Sequence, residues 1–291
     1  MGVRAEASDR RQYVSDGEAA VQRLREYWAR FGQPVIITGA GCSTESGIPD
    51  YRDHNGAWKR AQPMQAQTFL KAAAARRRYW ARSFIGWPTV AAARPNAAHR
   101  ALARLEAAGQ LGGLITQNVD GLHAAAGSRW VIELHGSLHR VVCRDCGILL
   151  DRTNFQADLA QANPGWHADG TLRPDGDAEI ATVAEDSFRV PDCPQCAGLL
   201  KPDVVFFGEN VPRERVEAAF QAVRRAGWLL IAGSSLMVWS GYRFVREAHR
   251  SGAPIVAVNL GRTRADGEIT EKMEVDCTEV LPRVAEALAG D

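Results

Sequence analysis

Two short segments hold the residue types best able to do chemistry. Gln117, Asn118 and Asp120 put two amides and a carboxylate just after the apolar stretch Gly113–Thr116, and Glu133-Leu134-His135-Gly136 puts an imidazole after a second such stretch. An amide beside a carboxylate suits a primary carboxamide ligand, which has both a donor and an acceptor edge. A neutral imidazole titrates near working pH and takes a proton from a hydroxyl within hydrogen-bond reach. The glycine at 136 leaves the face of His135 open to a substrate. Each group also has a plainer reading: Asn118 and Asp120 as caps of the next helix, His135 as a satisfied polar residue. His123 reads as a packed structural histidine, and His139 carries no comparable motif.

A third segment, Gly39-Ala40-Gly41-Cys42-Ser43-Thr44-Glu45-Ser46-Gly47, leaves the strand-like run Pro34–Thr38. Gly39 and Gly41 permit close backbone approach to a phosphate, whose oxygens the following N–H groups can bind. Position 44 is Thr and the next glycine is Gly47, so this is not the usual dinucleotide fingerprint, and a plain tight turn is the alternative. Gly233-Ser234-Ser235 and Asn259-Leu260-Gly261 end two further apolar runs in the same manner.

The elements that must carry these groups alternate. Ser15 and Glu18 have capping-box spacing for a helix to about Arg30. Strands are expected at Pro34–Thr38, Gly113–Thr116, Val131–Glu133, Trp228–Ala232 and Pro254–Val258, and helices at 67–86, 96–108 and 240–251. Such alternation predicts an α/β fold with a doubly wound parallel sheet, helices on both faces and ligands at the strand ends. The stretch 163–187, rich in Gly, Pro and Asp, reads as a loop.

Six cysteines fall as two Cys-x-x-Cys pairs, Cys143/Cys146 and Cys193/Cys196, with Cys42 and Cys277 single. Two pairs in a chain too long and cysteine-poor for a disulfide scaffold read as one four-thiolate structural zinc site, with redox pairs as the alternative. Neither pair has the nearby histidine or water-activating carboxylate of a catalytic zinc. The expected division is a mobile tail at 1–16, a sheet domain from 17–140 and 204–291 with a helical insert at about 52–95, and a zinc-binding module at 141–203.

These motifs, in this order from about Gly32 to Cys277, resemble the sirtuins, the NAD-dependent protein deacylases. The resemblance implies a Rossmann-like sheet with a smaller zinc-binding insert, NAD as co-substrate and acyl-lysine proteins or peptides as partners. It implies NAD contacts from Gly39, Ala40, Gly41 and Ser43, from Ile48 and Asp50 near nicotinamide, and from Tyr51 and Arg52 in a mobile loop. Gln117 and Asn118 would face the nicotinamide ribose, Asp120 the carboxamide. Gly233, Ser234, Ser235, Asn259, Leu260, Gly261 and Cys277 would hold phosphate and adenosine, although Cys277 alone reads as a small buried apolar residue. His135 would be the general base, with Asn118 and Asp120 in its catalytic group. NAD would be consumed: the acyl oxygen attacks the ribose carbon as nicotinamide leaves, His135 deprotonates a ribose hydroxyl, and the acyl group passes to ADP-ribose. The segment Lys201–Glu209 resembles the stretch that pairs with an acyl-lysine peptide, with Val204, Phe206 and Val238 as apolar walls; an ordinary core strand is the alternative.

Within the family the chain is most similar to the subgroup that contains human mitochondrial sirtuin 4, through Arg78-Tyr79-Trp80-Ala81-Arg82 and Gly86-Trp87-Pro88. Tyr79 and Arg82 lie three apart, on one face of a helix, and resemble the pair that meets acidic acyl groups, which implies a preference for acidic or bulky acyl-lysines. A solvated basic face with Arg76, Arg77 and Arg78 is the competing reading. An ADP-ribosyltransferase using the same NAD site, a hydride-transferring dehydrogenase and an NAD-sensing module without catalysis are the other function classes. Net charge is +1 and no apolar run approaches the ~18 residues of a membrane helix. Nucleic acid and membrane are therefore not expected partners, and a cytoplasmic monomer or weak oligomer is.

Overall fold

The computed structural model describes residues 12–59, 64–168, 170–172, 178–180 and 187–290. In chain order the first elements are β1 (Gln12–Val14), α1 (Gly17–Phe31), β2 (Pro34–Thr38), α2 (Ala66–Lys71), α3 (Ala73–Ala92), α4 (Ala97–Ala107), β3 (Gly113–Thr116), α5 (Leu122–Ala125) and β4 (Val131–Glu133). There follow β5 (Gly136–Cys143), β6 (Leu149–Asp151), α6 (Arg152–Ala162), β7 (Gly170–Leu172), β8 (Ala178–Ile180) and β9 (Leu200–Val204). The chain closes with α7 (Arg213–Arg225), β10 (Trp228–Ala232), α8 (Trp239–Arg250), β11 (Ile255–Val258), β12 (Glu271–Met273) and α9 (Cys277–Ala289).

Apolar runs such as Pro34-Val35-Ile36-Ile37-Thr38 are buried at every position, which only a strand covered on both faces allows. They build a seven-stranded sheet in the order β1-β12-β11-β10-β2-β3-β4, and every neighbouring pair is parallel. One face, with Ile36, Leu114, Leu230 and Val256, packs on Leu24, Leu102 and Leu281 of α1, α4 and α9. The other, with Ile37, Ile115 and Ile231, packs on Val223, Phe244 and Val245 of α7 and α8. From β2 the chain steps outward through β3 and β4; from β10 it steps the opposite way. The carboxyl ends of β2 and β10, at Thr38 and Ala232, therefore flank the switch point where a doubly wound sheet opens a crevice.

A second sheet, β6-β5-β9, is antiparallel and carries the cysteines. Its core is shared with the helical insert: Phe69, Tyr79 and Trp80 pack with Val141, Phe155, Phe188 and Leu200. Arg152, buried at the start of α6, stacks near Trp80 and Trp87 and donates to the carbonyl and hydroxyl of Ser83, pinning α6 to α3.

Several expectations need correction. Residues 12–14, expected in the tail, pair in parallel with β12 and extend the sheet edge, while residues 1–11 lie outside the described ones. Helix α1 is capped by Asp16, which accepts from the Ala19 amide, rather than by Ser15. The helix expected at 67–86 is two helices broken at extended Ala72, where Arg76 donates to the carbonyls of Phe69 and Leu70 that end α2; Arg76 is a cap, not part of a solvated face. Helix α3 then runs through Pro88 to Ala92, because Trp87 and Val90 bury against Ile48, Leu122 and Leu138. The boundary expected at 140/141 falls inside β5, and the stretch expected to be a loop at 163–187 contains the antiparallel pair β7 and β8; 169, 173–177 and 181–186 lie outside the described residues.

Candidate active site

The crevice at the switch point is a cavity of about 690 Å³, within the roughly 300–1,000 Å³ of small-molecule and cofactor sites. Its walls take in Gly39, Ala40, Gly41, Asp50, Tyr51, Arg52, Gln117, Asn118 and His135 from one half of the sheet, and Gly233, Ser234, Ser235, Asn259, Leu260 and Cys277 from the other. Tyr79, Val204, Phe206 and Val238 line it too. Five expected site residues stand behind the walls or away from them: Ser43, Ile48, Asp120, Gly261 and Arg82.

The glycine turn is built by loop–loop contact. The amide of Gly41 donates to Gly233 O at 2.9 Å, and those of Cys42 and Ser43 are spent on the carbonyls of Gly39 and Ala40. A Cβ at Gly39 would meet Ser234 Oγ at 2.6 Å, and one at Gly41 would meet Gly233 O at 2.9 Å. These glycines are needed for the approach of two strand-end loops, rather than for room for a phosphate alone. Gly136 likewise does not open a face to substrate. Its φ is +86° and its absent Cβ would strike the carbonyl of Asp203, so it permits the tight β5–β9 pairing.

His135 is held from both sides. Nδ1 lies 2.9 Å from the Gln117 carbonyl oxygen, which can only accept, so Nδ1 carries the proton. Nε2 is then the lone-pair nitrogen, and it accepts from Ser240 Oγ at 2.7 Å. Burial, with smaller contributions from Arg243 and Arg215 against the opposing Gln117 contact, depresses the imidazole to about 4. The ring is neutral at pH 7, as a base must be. No signal in the sequence marks Ser240, which lies 105 residues away on α8.

The amide–carboxylate group is organised in depth. Gln117 Nε2 donates to Thr38 O and to Ser234 Oγ, which bridges the two halves of the sheet. Asn118 Nδ2 donates to Gly39 O and Ser43 Oγ, so its Oδ1 is left toward the cavity with no bond from a described residue. Asp120 is buried, accepting from Ser43 Oγ at 2.8 Å and from the Leu122 amide at 2.9 Å. Burial raises its carboxyl above the usual range, against the hydrogen bonds that favour the anion. It contacts Asn118 only through Ser43 and does not line the cavity. Below it, His123 bonds to Thr38 Oγ1, and His139 bonds to Asp120 O and packs on Trp87, so both are structural.

The loop after Ile48 folds on itself: Arg52 stacks on Trp58 at 3.9 Å and donates to Gly56 O, and burial lowers its pKa. Ile48 packs with Trp87 and Leu138, and Gly261 lies against the backbone of His54. Helix α3 turns Tyr79 to the cavity against Phe206 but leaves Arg82 out of the lining.

In the small sheet the four sulfurs of Cys143, Cys146, Cys193 and Cys196 lie within 4.8 Å of one another. Two pairs, Cys143–Cys196 and Cys146–Cys193, stand 3.5 and 3.7 Å apart. Metal–sulfur bonds of about 2.3 Å give a tetrahedron with edges of about 3.8 Å, so the cluster fits one structural zinc. The two turns are built alike: the residue after the second cysteine, Gly147 or Ala197, is left-handed in each, at φ 77° and 56°.

The Sir2 family pattern matches residues 39–240 of this chain, more than half its length. The chain belongs to the Sir2 family. Among its Sir2 relatives, an NAD-dependent protein deacetylase of Xanthomonas campestris pv. campestris (strain 8004) is 56% identical over 259 residues, covering 89% of this chain and 88% of that one. NAD-dependent protein deacetylase 2 of Bradyrhizobium diazoefficiens is 54% identical, covering 92% and 98%. A solved Sir2 structure with a p53 peptide and NAD+ superposes with a TM-score of 0.74 at 32% identity, covering 92% of this chain and 98% of that one.

Proposed function

We propose that this Sir2 protein is an NAD-dependent protein lysine deacylase. The observation that carries this reading is His135, neutral, with its protonated nitrogen fixed to Gln117 and its lone-pair nitrogen on Ser240 Oγ, in the lining of a cavity at the sheet's switch point. When bound, NAD supplies a ribose carbon from which nicotinamide can leave. Gly233, Ser234, Ser235, Asn259, Leu260 and Cys277 line the phosphate and adenosine end, and Asn118 Oδ1 is available near the nicotinamide end. Asp120 and Ser43 position Asn118 rather than touch the ligand. Val204, Phe206 and Val238 wall the channel for the acyl-lysine and keep water from it.

His135 Nε2 takes the proton of a ribose hydroxyl once that hydroxyl displaces Ser240 Oγ. The acyl group then passes from the lysine nitrogen to ADP-ribose: the acyl oxygen has replaced nicotinamide at the ribose carbon, and the deprotonated ribose oxygen bonds to the acyl carbon. The lysine amine leaves with the proton held by His135, and one water restores the acyl carbonyl. Tyr79, Met64 and Phe206 give the channel an apolar inner wall that suits bulky acyl groups, while the Arg82 half of the acidic-acyl reading finds no support in the lining. Membership of the subgroup with human mitochondrial sirtuin 4 rests on Arg78–Arg82 and Gly86–Pro88 and is part of this proposal. So is a cytoplasmic setting, since no disulfide joins the six cysteines and four of them cluster as zinc ligands. No helix among the described residues is long and apolar enough to cross a membrane. We further read two modules: the parallel sheet, and a small module that joins the zinc site to the helical insert, acting as a monomer or weak oligomer.

The test is incubation with NAD and a panel of acyl-lysine peptides, reading nicotinamide release and peptide mass. Deacylation predicts release that depends on peptide, with loss of the acyl mass. Peptide-independent release with ADP-ribose added to protein would identify a transferase instead.

A further inference from the structure

One turn beyond Ser240 on α8, Arg243 lines the cavity close enough to His135 to bias its charge, and its own charge is unanswered. Its Nε is buried with no hydrogen-bond partner, and no ion pair joins it to a described residue. The neighbouring arginines are engaged: Arg215 lies 3.6 Å from Asp203, and Arg264 donates to Met237 O and stacks near Trp239 and Tyr242. The four carboxylates that line the same cavity, Asp50, Asp53, Glu209 and Asp276, each already accept bonds from within the chain. A half-buried guanidinium without a counter-charge is costly, and its planar fork is shaped for a carboxylate.

The position says where that carboxylate comes from. Trp239, 51% exposed, precedes Arg243 by four residues on the same helix face and lines the same cavity. A substrate segment lying over Trp239 on its way to His135 passes within reach of Arg243. The charge also matters to the chemistry, because an uncompensated cation opposes the positive character that develops at the ribose. Resting on the deacylase reading above, we propose that Arg243 is a specificity residue that binds a carboxylate of the acyl-lysine substrate, so that docking the acid both anchors the substrate and removes a cation from beside the reacting centre.

The experiment compares kcat/KM for three peptides of otherwise equal sequence: acetyl-lysine with Asp or Glu beside it, acetyl-lysine with Asn or Gln there, and a succinyl-type acyl-lysine with the neutral flanks. Wild type is expected to favour one carboxylate-bearing peptide by about ten-fold or more, and the arm that wins names the source as a flanking side chain or the acyl end. Arg243→Gln should abolish the preference, Arg243→Lys should keep part of it, and Arg243→Glu should turn it toward lysine-flanked peptides. Anisotropy of the same labelled peptides separates the two readings. Carboxylate-dependent binding lost in Arg243→Gln, without turnover, would count against deacylation but not against this assignment. A wild type indifferent to carboxylates, a preference that survives Arg243→Gln, or an effect confined to the KM of NAD would overturn it.

Discussion

Strands β2 and β10 of the large sheet bury every residue, whereas β6 of the small sheet leaves Leu149 and Asp151 exposed. The large sheet is sealed by helices on both faces and closes its cavity from elements far apart in sequence. The small sheet has three strands, leans on α3 through Trp80 and Arg152, and brings its two cysteine turns together at four sulfurs. Apolar burial can hold the first region alone. The second adds to the core it shares with α2 and α3 four cysteines that fit a zinc, so the two should fail under different stresses.

The largest expected effect follows from this difference. Cys143→Ser or Cys193→Ser should lose the zinc, worth ~10–16 kcal/mol of apparent binding in small domains. The small module should open while the parallel sheet stays folded. Metal analysis with hydrogen exchange checks it: exchange should rise over 136–204 and α3 but not in β2, β3, β10 or β11. Full zinc content in either variant would break the four-thiolate assignment, and global unfolding would show that the two regions are one cooperative unit.

Next in size is the seam. Gly136→Ala forces a left-handed residue and a Cβ onto the Asp203 carbonyl where the chain passes from one sheet to the other. The expected loss is about 2–4 kcal/mol, combining left-handed strain with overpacking, read from urea midpoints. A loss under ~0.5 kcal/mol would mean that β5 and β9 separate freely.

The third expected effect is acid sensitivity of the large region. Burial holds His99 at about 4, His123 at about 3 and His135 at about 4. Their folded values lie below the ordinary histidine value, so their contribution to stability is complete above about pH 6.5 and is lost as pH falls toward 4 and 3. Unfolding free energies of wild type and His123→Gln should fall with acid, less steeply in the variant. Equal slopes would mean that His123 does not contribute to the acid sensitivity.

The parts legible in sequence were those whose physics is local. Val35–Ile37 and Leu229–Ile231 are apolar runs between breakers, and the cysteine spacing states its own chemistry. Long-range pairings left no mark: Ser240 on His135, Arg76 on the end of α2, Arg152 between two tryptophans. Pro88 reads as a breaker in isolation, yet α3 continues because Trp87 and Val90 are buried beyond it. The glycines at 39, 41 and 136 were visible as glycines, but the backbones they accommodate come from residues 233 and 203, which only the fold brings near. Asp120 was visible as an acid beside an amide, while its place behind Ser43 depends on β2 and β3 lying side by side.

Whether His135 is the proton acceptor in an NAD-consuming deacylation is decided by His135→Ala with an acyl-lysine peptide. Calorimetric titration with NAD and a nicotinamide-release assay are run on the same preparation. NAD affinity should stay close to wild type and turnover should fall by ~10²–10⁴-fold, the usual worth of a positioned general base. Turnover near the wild-type rate would contradict that role.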